Sequence, residues 1–279
     1  MRSADLLHLE RRPTFITPEL EPASRAQRSP GEGRMTPFEI LYVCLEPVLP
    51  PLYRTVRRRL HHMTRANYGP ALSILDVGGR KSPYTLGLPA RVIITDLPRK
   101  SALQQKLHLG LERTMVRQLR ARRSNVSAVM FDDMTRSALA DACVNCVVSV
   151  EVLEHVEQDD QFLREVWRVL KPGGLFLGTT PNGDWIPNAS GNPDHKRHYT
   201  RDQLRARLVE HFAPVEVEYA IRGGTFHLLG LRSWSVRAPG RTLLGMISNV
   251  INLVQSASAE LRNQPHDTVH LIALARKRV

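Results

Sequence analysis

Two carboxylates and an imidazole lie close together in the middle of the sequence. Glu151, Glu154 and His155 are spaced at i, i+3 and i+4, so a helical turn over residues 150–156 would place the three side chains on one face. Such a set can hold a divalent cation, or it can provide a general base held by a neighbouring acid. The spacing leaves both chemistries open, together with a purely structural role for the turn.

A second group of imidazoles follows in the stretch DHKRHYT, residues 194–200. It comes after a predicted strand, residues 175–180, and therefore returns to the edge of the sheet where Glu151 lies. His195 would complete a metal set of two carboxylates and two imidazoles, namely Glu151, Glu154, His155 and His195. We favour a catalytic role for His155 and His195 over the metal, because the fourth ligand depends on His195 alone.

The stretch ILDVGGRKSPY, residues 74–84, indicates a strand followed by a tight glycine turn. Dinucleotide binding requires the pattern Gly-x-Gly-x-x-Gly, so that a pyrophosphate can approach the start of a helix. Counting from Gly78, Arg80 and Pro83 stand where the second and third glycines would be. An adenosine ligand without a pyrophosphate needs only the close approach at Gly78 and Gly79, and the turn predicts such a ligand.

Acidic residues end the first three predicted strands. Asp96 lies twenty residues after Asp76, where a carboxylate accepts hydrogen bonds from ribose hydroxyls. Asp132 or Asp133 ends the third strand, where it could meet the adenine amino group. Recognition of ribose without recognition of phosphate predicts S-adenosylmethionine (SAM) as the ligand.

The elements that must position these residues alternate between strand-like and helix-like segments, which is typical of a parallel sheet with crossover helices. We predict a disordered tail over residues 1–34, a helical cap over 35–67, and an α/β domain over 68–279 with a helical insertion at about 223–264. The predicted strands are 73–77, 91–95, 128–131, 144–150, 175–180, 215–221 and 268–275. The predicted helices are 101–122, 159–170 and 201–211, with a further helix at 243–254 inside the insertion.

The chain resembles the class I SAM-dependent methyltransferases of the type 11/23 group. The stretches ILDVGG, VIITDLP, VVSVEVLEHVEQDDQFLREVWRVLKPGGLFLGTTPN and HKRHYTRDQL carry the resemblance. It implies a Rossmann-like, seven-stranded, mostly parallel sheet of order 3-2-1-4-5-7-6, with strand seven antiparallel and helices on both faces. It places Asp76 and Gly78 along the methionine part of SAM, Asp96 at the ribose and Asp133 near the adenine. The residues expected to bind the cofactor are Asp76, Gly78, Gly79, Asp96, Leu97, Asp133, Met134 and Val150.

The composition indicates which kind of partner the protein binds and in which cellular compartment it works. The formal charge is +12 and the pI about 10.2, which favours an anionic partner such as RNA, an acidic substrate or a lipid surface. Three cysteines and no recognisable leader predict a reducing cytoplasm. No apolar stretch reaches the roughly 20 residues of a spanning helix.

We expect a methyltransferase that acts on an oxygen, or on a nitrogen, of a small molecule or glycan. One alternative keeps the fold but methylates the 2'-hydroxyl of RNA with the help of a metal. Another is a non-catalytic protein of the same fold, held at a membrane surface by the helix at 243–254 and by arginines. The complete set of Asp76, Asp96 and Asp133 favours a catalytic protein.

Overall fold

The computed structural model describes residues 35–67, 72–99, 110–187, 194–232 and 234–279, and these form an α/β fold around one sheet. The strands run in the order β3-β2-β1-β4-β5-β7-β6, and only β7 is antiparallel to its neighbours. The predicted fold class is therefore confirmed. The strands are β1 Ser73–Val77, β2 Arg91–Asp96, β3 Val126–Phe131, β4 Val144–Val150, β5 Leu170–Pro181, β6 Val215–Arg222 and β7 Thr268–Arg276.

The helices flank this sheet and mostly follow the predicted pattern. The first half of the predicted helix at 101–122 lies outside the described residues, as does the predicted tail at 1–34. The α-helices in the described part are α1 Pro37–Leu45, α2 Pro51–Asn67, α3 Arg113–Arg122, α4 Asp159–Val169, α5 Arg201–Val209, α6 Thr225–Gly230 and α7 Pro239–Gln255.

The central strands are apolar on both faces because helices cover both faces of the sheet. Leu75 of β1 faces a core that includes Phe162 and Val166 of α4. Its neighbour Ile74 faces the opposite core, to which Val56 and Leu60 of α2 contribute. Side chains alternate between the two faces of a strand, so β1 lies between two cores. Packing on both faces fixes the carboxyl end of β1 at the carboxyl edge of the sheet.

Capping residues fix where two of the helices begin. Thr36 accepts a hydrogen bond from the Glu39 backbone, and the Glu39 carboxylate accepts one from the Thr36 backbone at 2.8 Å. Thr200 and Gln203 form the same capping box at α5. The second box fixes the end of the histidine-rich segment, because Thr200 is its last residue.

The connection from β1 to β2 is short and contains a single 3-10 turn, Gly79–Lys81, rather than a full helix. The α2 helix supports it from outside. The buried Arg57 guanidinium donates hydrogen bonds to the carbonyls of Leu86 at 2.5 Å and Tyr84 at 3.4 Å. The helical cap thus helps to hold the glycine turn in place.

The insertion between β6 and β7 forms a helical hairpin of α6 and α7. The predicted helix at 243–254 is confirmed and is longer than predicted. Among the described residues, no helix combines the length and the apolar character needed to cross a membrane.

Candidate active site at the carboxyl edge of the sheet

The turn after β1 can be built only from glycine. Gly78 has a φ of +70°, and a Cβ there would lie 2.7 Å from Cγ2 of Val152. A Cβ on Gly79 would lie 2.3 Å from the carboxyl carbon of Asp76. Both distances are shorter than real Cβ contacts, so side chains at these positions would force the turn out of place. The contact with Val152 also joins the glycine turn to the loop that follows β4.

Asp76 supports this turn from inside the protein. Its carboxylate is fully buried and accepts hydrogen bonds from Ser82, from Thr85 at 2.9 Å and from the Tyr84 hydroxyl at 3.1 Å. Burial raises the pKa of Asp76 to about 6, and the Ser82 hydroxyl and the nearby Arg123 oppose that rise. The sequence places Asp76 along the methionine moiety, whereas the structure assigns its oxygens to the turn itself.

Arg123 is a residue that the sequence analysis missed. It ends the basic helix α3, yet only 5% of it is exposed. Its guanidinium donates to the carbonyls of Gly79 at 3.4 Å and Arg80 at 3.2 Å, and to the Ser82 hydroxyl at 3.3 Å. A buried cation therefore helps to fix the turn, and it contacts the same Ser82 hydroxyl as Asp76. A run of arginines in the sequence gives no signal for which one turns inward.

Asp96 ends β2 beside the glycine turn. Its Oδ1 accepts a hydrogen bond from the Leu97 backbone at 2.8 Å. Burial raises its pKa, while this hydrogen bond and the charges of Arg80 and Arg99 oppose the rise. Leu97 exposes 46% of its surface at the same edge. A carboxylate next to an exposed apolar side chain is suited to a ribose that carries a flat, apolar base.

The remaining residues expected to contact the cofactor follow β3 or end β4. Asp133 accepts hydrogen bonds from the backbone of Thr135 at 3.0 Å and from its hydroxyl at 2.7 Å. Met134 is only 4% exposed and belongs to the core, so its side chain cannot line a ligand site in this conformation. Val150 is half-buried at the end of β4. Asp133 and Val150 thus lie at the ends of β3 and β4, and their contact with a cofactor stays a prediction.

Glu151 departs from the helical turn that its spacing suggested. It has a φ of +54°, and the turn that follows is a short 3-10 turn, Leu153–His155. Its carboxylate accepts a hydrogen bond from the Thr179 hydroxyl at 2.8 Å and lies 3.2 Å from Nδ1 of His270. Thr179 and His270 thus hold the Glu151 carboxylate, and among the described residues the ligand atoms that converge are those of Glu154, His155 and His195. The predicted set of four is therefore divided.

Glu154 is completely buried, and neither of its carboxylate oxygens has a hydrogen-bond partner among the described residues. Burial and the nearby charge of Glu151 raise its pKa well above the ordinary value. Burial also acts to raise the pKa of Glu151, but the interactions with His270 and Thr179 outweigh burial, so this pKa is lowered. The two pKa values therefore shift in opposite directions, and Glu154 is the member of the pair that takes up a proton more readily.

The histidine-rich segment lies against this turn as the sequence predicts. The Lys196 backbone N–H donates to the Glu154 carbonyl at 2.7 Å, which brings His195 beside His155. The two rings meet edge to face, with their centroids 4.7 Å apart. The His155 ring nitrogen Nδ1 lies 2.9 Å from the Asp194 carboxylate, so an acid orients this imidazole. One ligand atom each from Glu154, His155 and His195 lies within 4.8 Å of the others.

A chain of hydrogen bonds fixes the tautomer of His195. Nδ1 of His198 lies 2.9 Å from the Ile186 carbonyl, which can only accept, so a neutral His198 carries its proton on Nδ1. Its Nε2 is then an acceptor for Nδ1 of His195, 2.7 Å away. His195 therefore donates through Nδ1 and presents an unprotonated Nε2. Burial, together with the charges of His155 and His198, lowers the pKa of His195 and so favours its neutral form.

Two more histidines at this edge were missed by the sequence analysis. His270 lies on β7 opposite Pro181, and the His227 ring from α6 lies 5.9 Å from the His270 ring. Burial, followed by the charge of His270, lowers the pKa of His227 to about 4. Because β7 is antiparallel, its first residues lie at the carboxyl edge of the sheet. The predicted direction of β7 could therefore have placed His270 at this edge.

Comparisons with known proteins agree with this geometry. A family model described as a methyltransferase domain matches residues 85–178. A protein of Mycolicibacterium smegmatis (strain ATCC 700084 / mc(2)155), named a probable S-adenosylmethionine-dependent methyltransferase, is 30% identical over 159 residues, which cover 57% of this chain and 59% of the relative. Another of that description, from Mycobacterium tuberculosis (strain ATCC 25618 / H37Rv), is 30% identical over 151 residues, 53% of each chain. The chain thus spans little more than half the length of these relatives.

A solved structure shows the same fold. The crystal structure of a SAM-dependent methyltransferase from Archaeoglobus fulgidus superposes with a TM-score of 0.51 at 16% identity, covering 81% of this chain and 94% of that one. The sheet order, the glycine turn and the sequence matches agree with one another. Residues 85–178 thus match a methyltransferase domain, the relatives of similar sequence are named probable SAM-dependent methyltransferases, and the fold is that of a solved SAM-dependent methyltransferase.

Proposed function

We propose that this protein transfers a methyl group from SAM to a hydroxyl oxygen of a small-molecule or glycan acceptor, with His195 as the general base. The observation that carries the proposal is the contact between the glycine turn and the loop after β4, which bears one of the imidazoles. The glycine turn touches Val152, and the imidazoles lie on the loop that continues from Val152 and on the segment beside it. A cofactor at the turn would thus have a base close by.

The residues at the edge fit SAM by their chemistry. Gly78 is half-buried at the end of β1, where its backbone could approach a ligand, and Asp96 offers a carboxylate for the ribose hydroxyls. Leu97 supplies an apolar surface for the adenine, with Asp133 and Val150 on the neighbouring strand ends. Asp76 acts through the turn rather than on the ligand, because its oxygens are buried and already bonded.

When bound, SAM supplies a methyl group activated by a sulfonium. The protein then has to place the acceptor oxygen in line and remove its proton. We assign the acceptor's proton to Nε2 of His195. The O–H bond and the sulfonium–methyl bond would break as the oxygen–methyl bond forms, and the electron pair of the broken sulfur–carbon bond would leave the donor as a neutral thioether. His198 donates no proton to the acceptor; it holds His195 in the required tautomer.

Replacing Asp96 with alanine should weaken SAM binding by about 1–3 kcal/mol, because the ribose hydroxyls lose a charged acceptor. Titration calorimetry on the two proteins measures this difference. Glu216→Ala is the matched control, since Glu216 is an exposed acid at the start of β6, at the opposite edge of the sheet. An unchanged affinity in Asp96→Ala would refute the ribose assignment.

A second arrangement of the same residues would use a divalent cation. The observation that favours it is the buried Glu154 carboxylate without a hydrogen-bond partner among the described residues, next to His155 and His195. Oxygen and imidazole ligands suit Mn²⁺ or Zn²⁺. In this case methyl transfer would stop after treatment with a chelator and return with the cation. With a general base, it would continue in the chelator at an unchanged rate.

A further inference from the structure

The α7 helix buries its polar side and exposes its apolar side, the reverse of an ordinary surface helix. Its buried residues are small or polar and include Ser248, Asn249 and Asn252. Its exposed side is aliphatic, with Leu243 57%, Ile247 47% and Val254 70% exposed. A surface helix normally buries its apolar side and exposes its polar side. In the part of the chain that the structure describes, nothing covers this apolar face, so it is open to a partner.

Specific hydrogen bonds hold the helix in this orientation. The Asn249 side chain donates to the Val48 carbonyl at 2.9 Å, and the Asn252 side chain donates to the Arg222 carbonyl at 2.7 Å. Gly230 of α6 leaves room for Asn249, since a Cβ there would lie 2.0 Å from the Asn249 amide oxygen. Rotating α7 to bury its aliphatic side would break these bonds, so the exposure is built into the fold.

The aliphatic face extends over the whole hairpin. Leu228 on α6 and Leu231 just after it are 66% and 57% exposed, and Val236 between the helices is 97% exposed. We call these side chains the apolar face of the hairpin. Its members are Leu228, Leu231, Val236, Leu243, Leu244, Ile247, Val250 and Val254.

The charges within the hairpin segment, residues 223–259, have one sign. Residues 223–259 contain three arginines, Arg232, Arg237 and Arg241, and no aspartate or glutamate. All three arginines are exposed. A second copy of the chain would bring arginines against arginines, because a twofold contact pairs a surface with itself. An anionic lipid surface offers negative headgroups to the arginines and hydrocarbon to the aliphatic side chains.

We infer that the α6–α7 hairpin docks the protein on an anionic phospholipid surface, with its apolar face in the headgroup region and Arg237 and Arg241 among the phosphates. The hairpin also reaches the candidate active site, because His227 of α6 lies beside His270, which contacts Glu151. Docking would thus hold the site next to the lipid. SAM binding does not depend on this docking, so the two can be tested separately.

Co-sedimentation with sucrose-loaded vesicles tests the inference with the full chain. We expect binding to phosphatidylcholine vesicles that contain about 30% phosphatidylglycerol, and at least tenfold weaker binding to phosphatidylcholine alone. The triple variant Leu243→Gln, Ile247→Gln, Val254→Gln should bind the anionic vesicles at least tenfold more weakly. The double variant Arg237→Gln, Arg241→Gln should show a similar loss, and binding of the parent protein should fall as salt is raised.

The matched control is Arg205→Gln with Val209→Gln, which removes an exposed arginine and an aliphatic side chain, 45% exposed, from α5. It should bind vesicles like the parent protein. Circular dichroism and SAM calorimetry should be the same for all variants. The inference is overturned if the parent protein does not bind anionic vesicles, if it binds both vesicles equally, or if the triple variant binds as well as the parent. It is also overturned if the apolar face only forms a dimer that the triple variant dissociates.

Discussion

Replacing His195 with alanine is expected to lower the rate of methyl transfer by about 10²–10⁴-fold, the usual contribution of a general base. SAM affinity should stay within about twofold, because His195 belongs to the acceptor side of the site. The rate is measured at saturating SAM with any hydroxyl acceptor that the parent protein methylates. His62→Ala, an exposed imidazole on α2, is the matched control and should leave the rate unchanged.

The pH dependence gives this prediction a second readout. The base must be neutral, and burial with the charges of His155 and His198 lowers its pKa. The rate should therefore be constant at neutral pH and fall as the pH drops through a value below the ordinary 6.5 or so for histidine. His198→Phe removes the acceptor for Nδ1 of His195 and should move this transition while keeping SAM affinity. A rate in His195→Ala within threefold of the parent protein would rule out His195 as the base.

Replacing Gly79 with alanine is expected to destabilise the protein by about 3 kcal/mol and to weaken SAM binding at least tenfold. The new Cβ would lie 2.3 Å from the Asp76 carboxyl carbon, and Asp76 is fully buried. Either the turn or the carboxylate has to move, which adds overpacking to the loss of hydrogen bonds from Thr85 and Tyr84. Chemical denaturation measures the stability, and calorimetry measures the affinity.

Gly240→Ala is the matched control for this change. A Cβ on Gly240 has no atom within 4 Å, and the residue lies in the first turn of α7. Alanine should be neutral or slightly stabilising there. If Gly79→Ala were as stable as Gly240→Ala and bound SAM like the parent protein, the described turn would not be the cofactor site.

The fold and the ends of the strands could be predicted from the sequence because they depend on local patterns. The alternation of apolar strands and amphipathic helices marks each element of the sheet, and Thr200 marks the start of α5. Asp96 could be placed because a residue that ends a parallel strand lies at the carboxyl edge. The resemblance supplied the order of the strands, which the described residues confirm.

The side-chain partners could not be predicted, because they depend on backbone angles and on distant contacts. The spacing of Glu151 and Glu154 suggested one shared face, but the left-handed backbone at Glu151 sends its carboxylate toward Thr179 and His270. Nothing in the sequence separates Arg123 from the arginines around it, because only the packing of α3 against the glycine turn buries it. Hydropathy marked α7 as a helix but could not show which of its sides faces outward.

The central claim is that the carboxyl edge of the sheet binds SAM, and thermal denaturation with different nucleotides tests it most directly. For a micromolar site, a hundredfold excess of ligand over the dissociation constant adds about 2.7 kcal/mol to the stability. We expect SAM and S-adenosylhomocysteine to raise the melting temperature by several degrees. NAD should leave it unchanged, because Arg80 and Pro83 stand where a pyrophosphate needs glycine. Stabilisation by NAD, or none by either SAM or S-adenosylhomocysteine, would contradict the account.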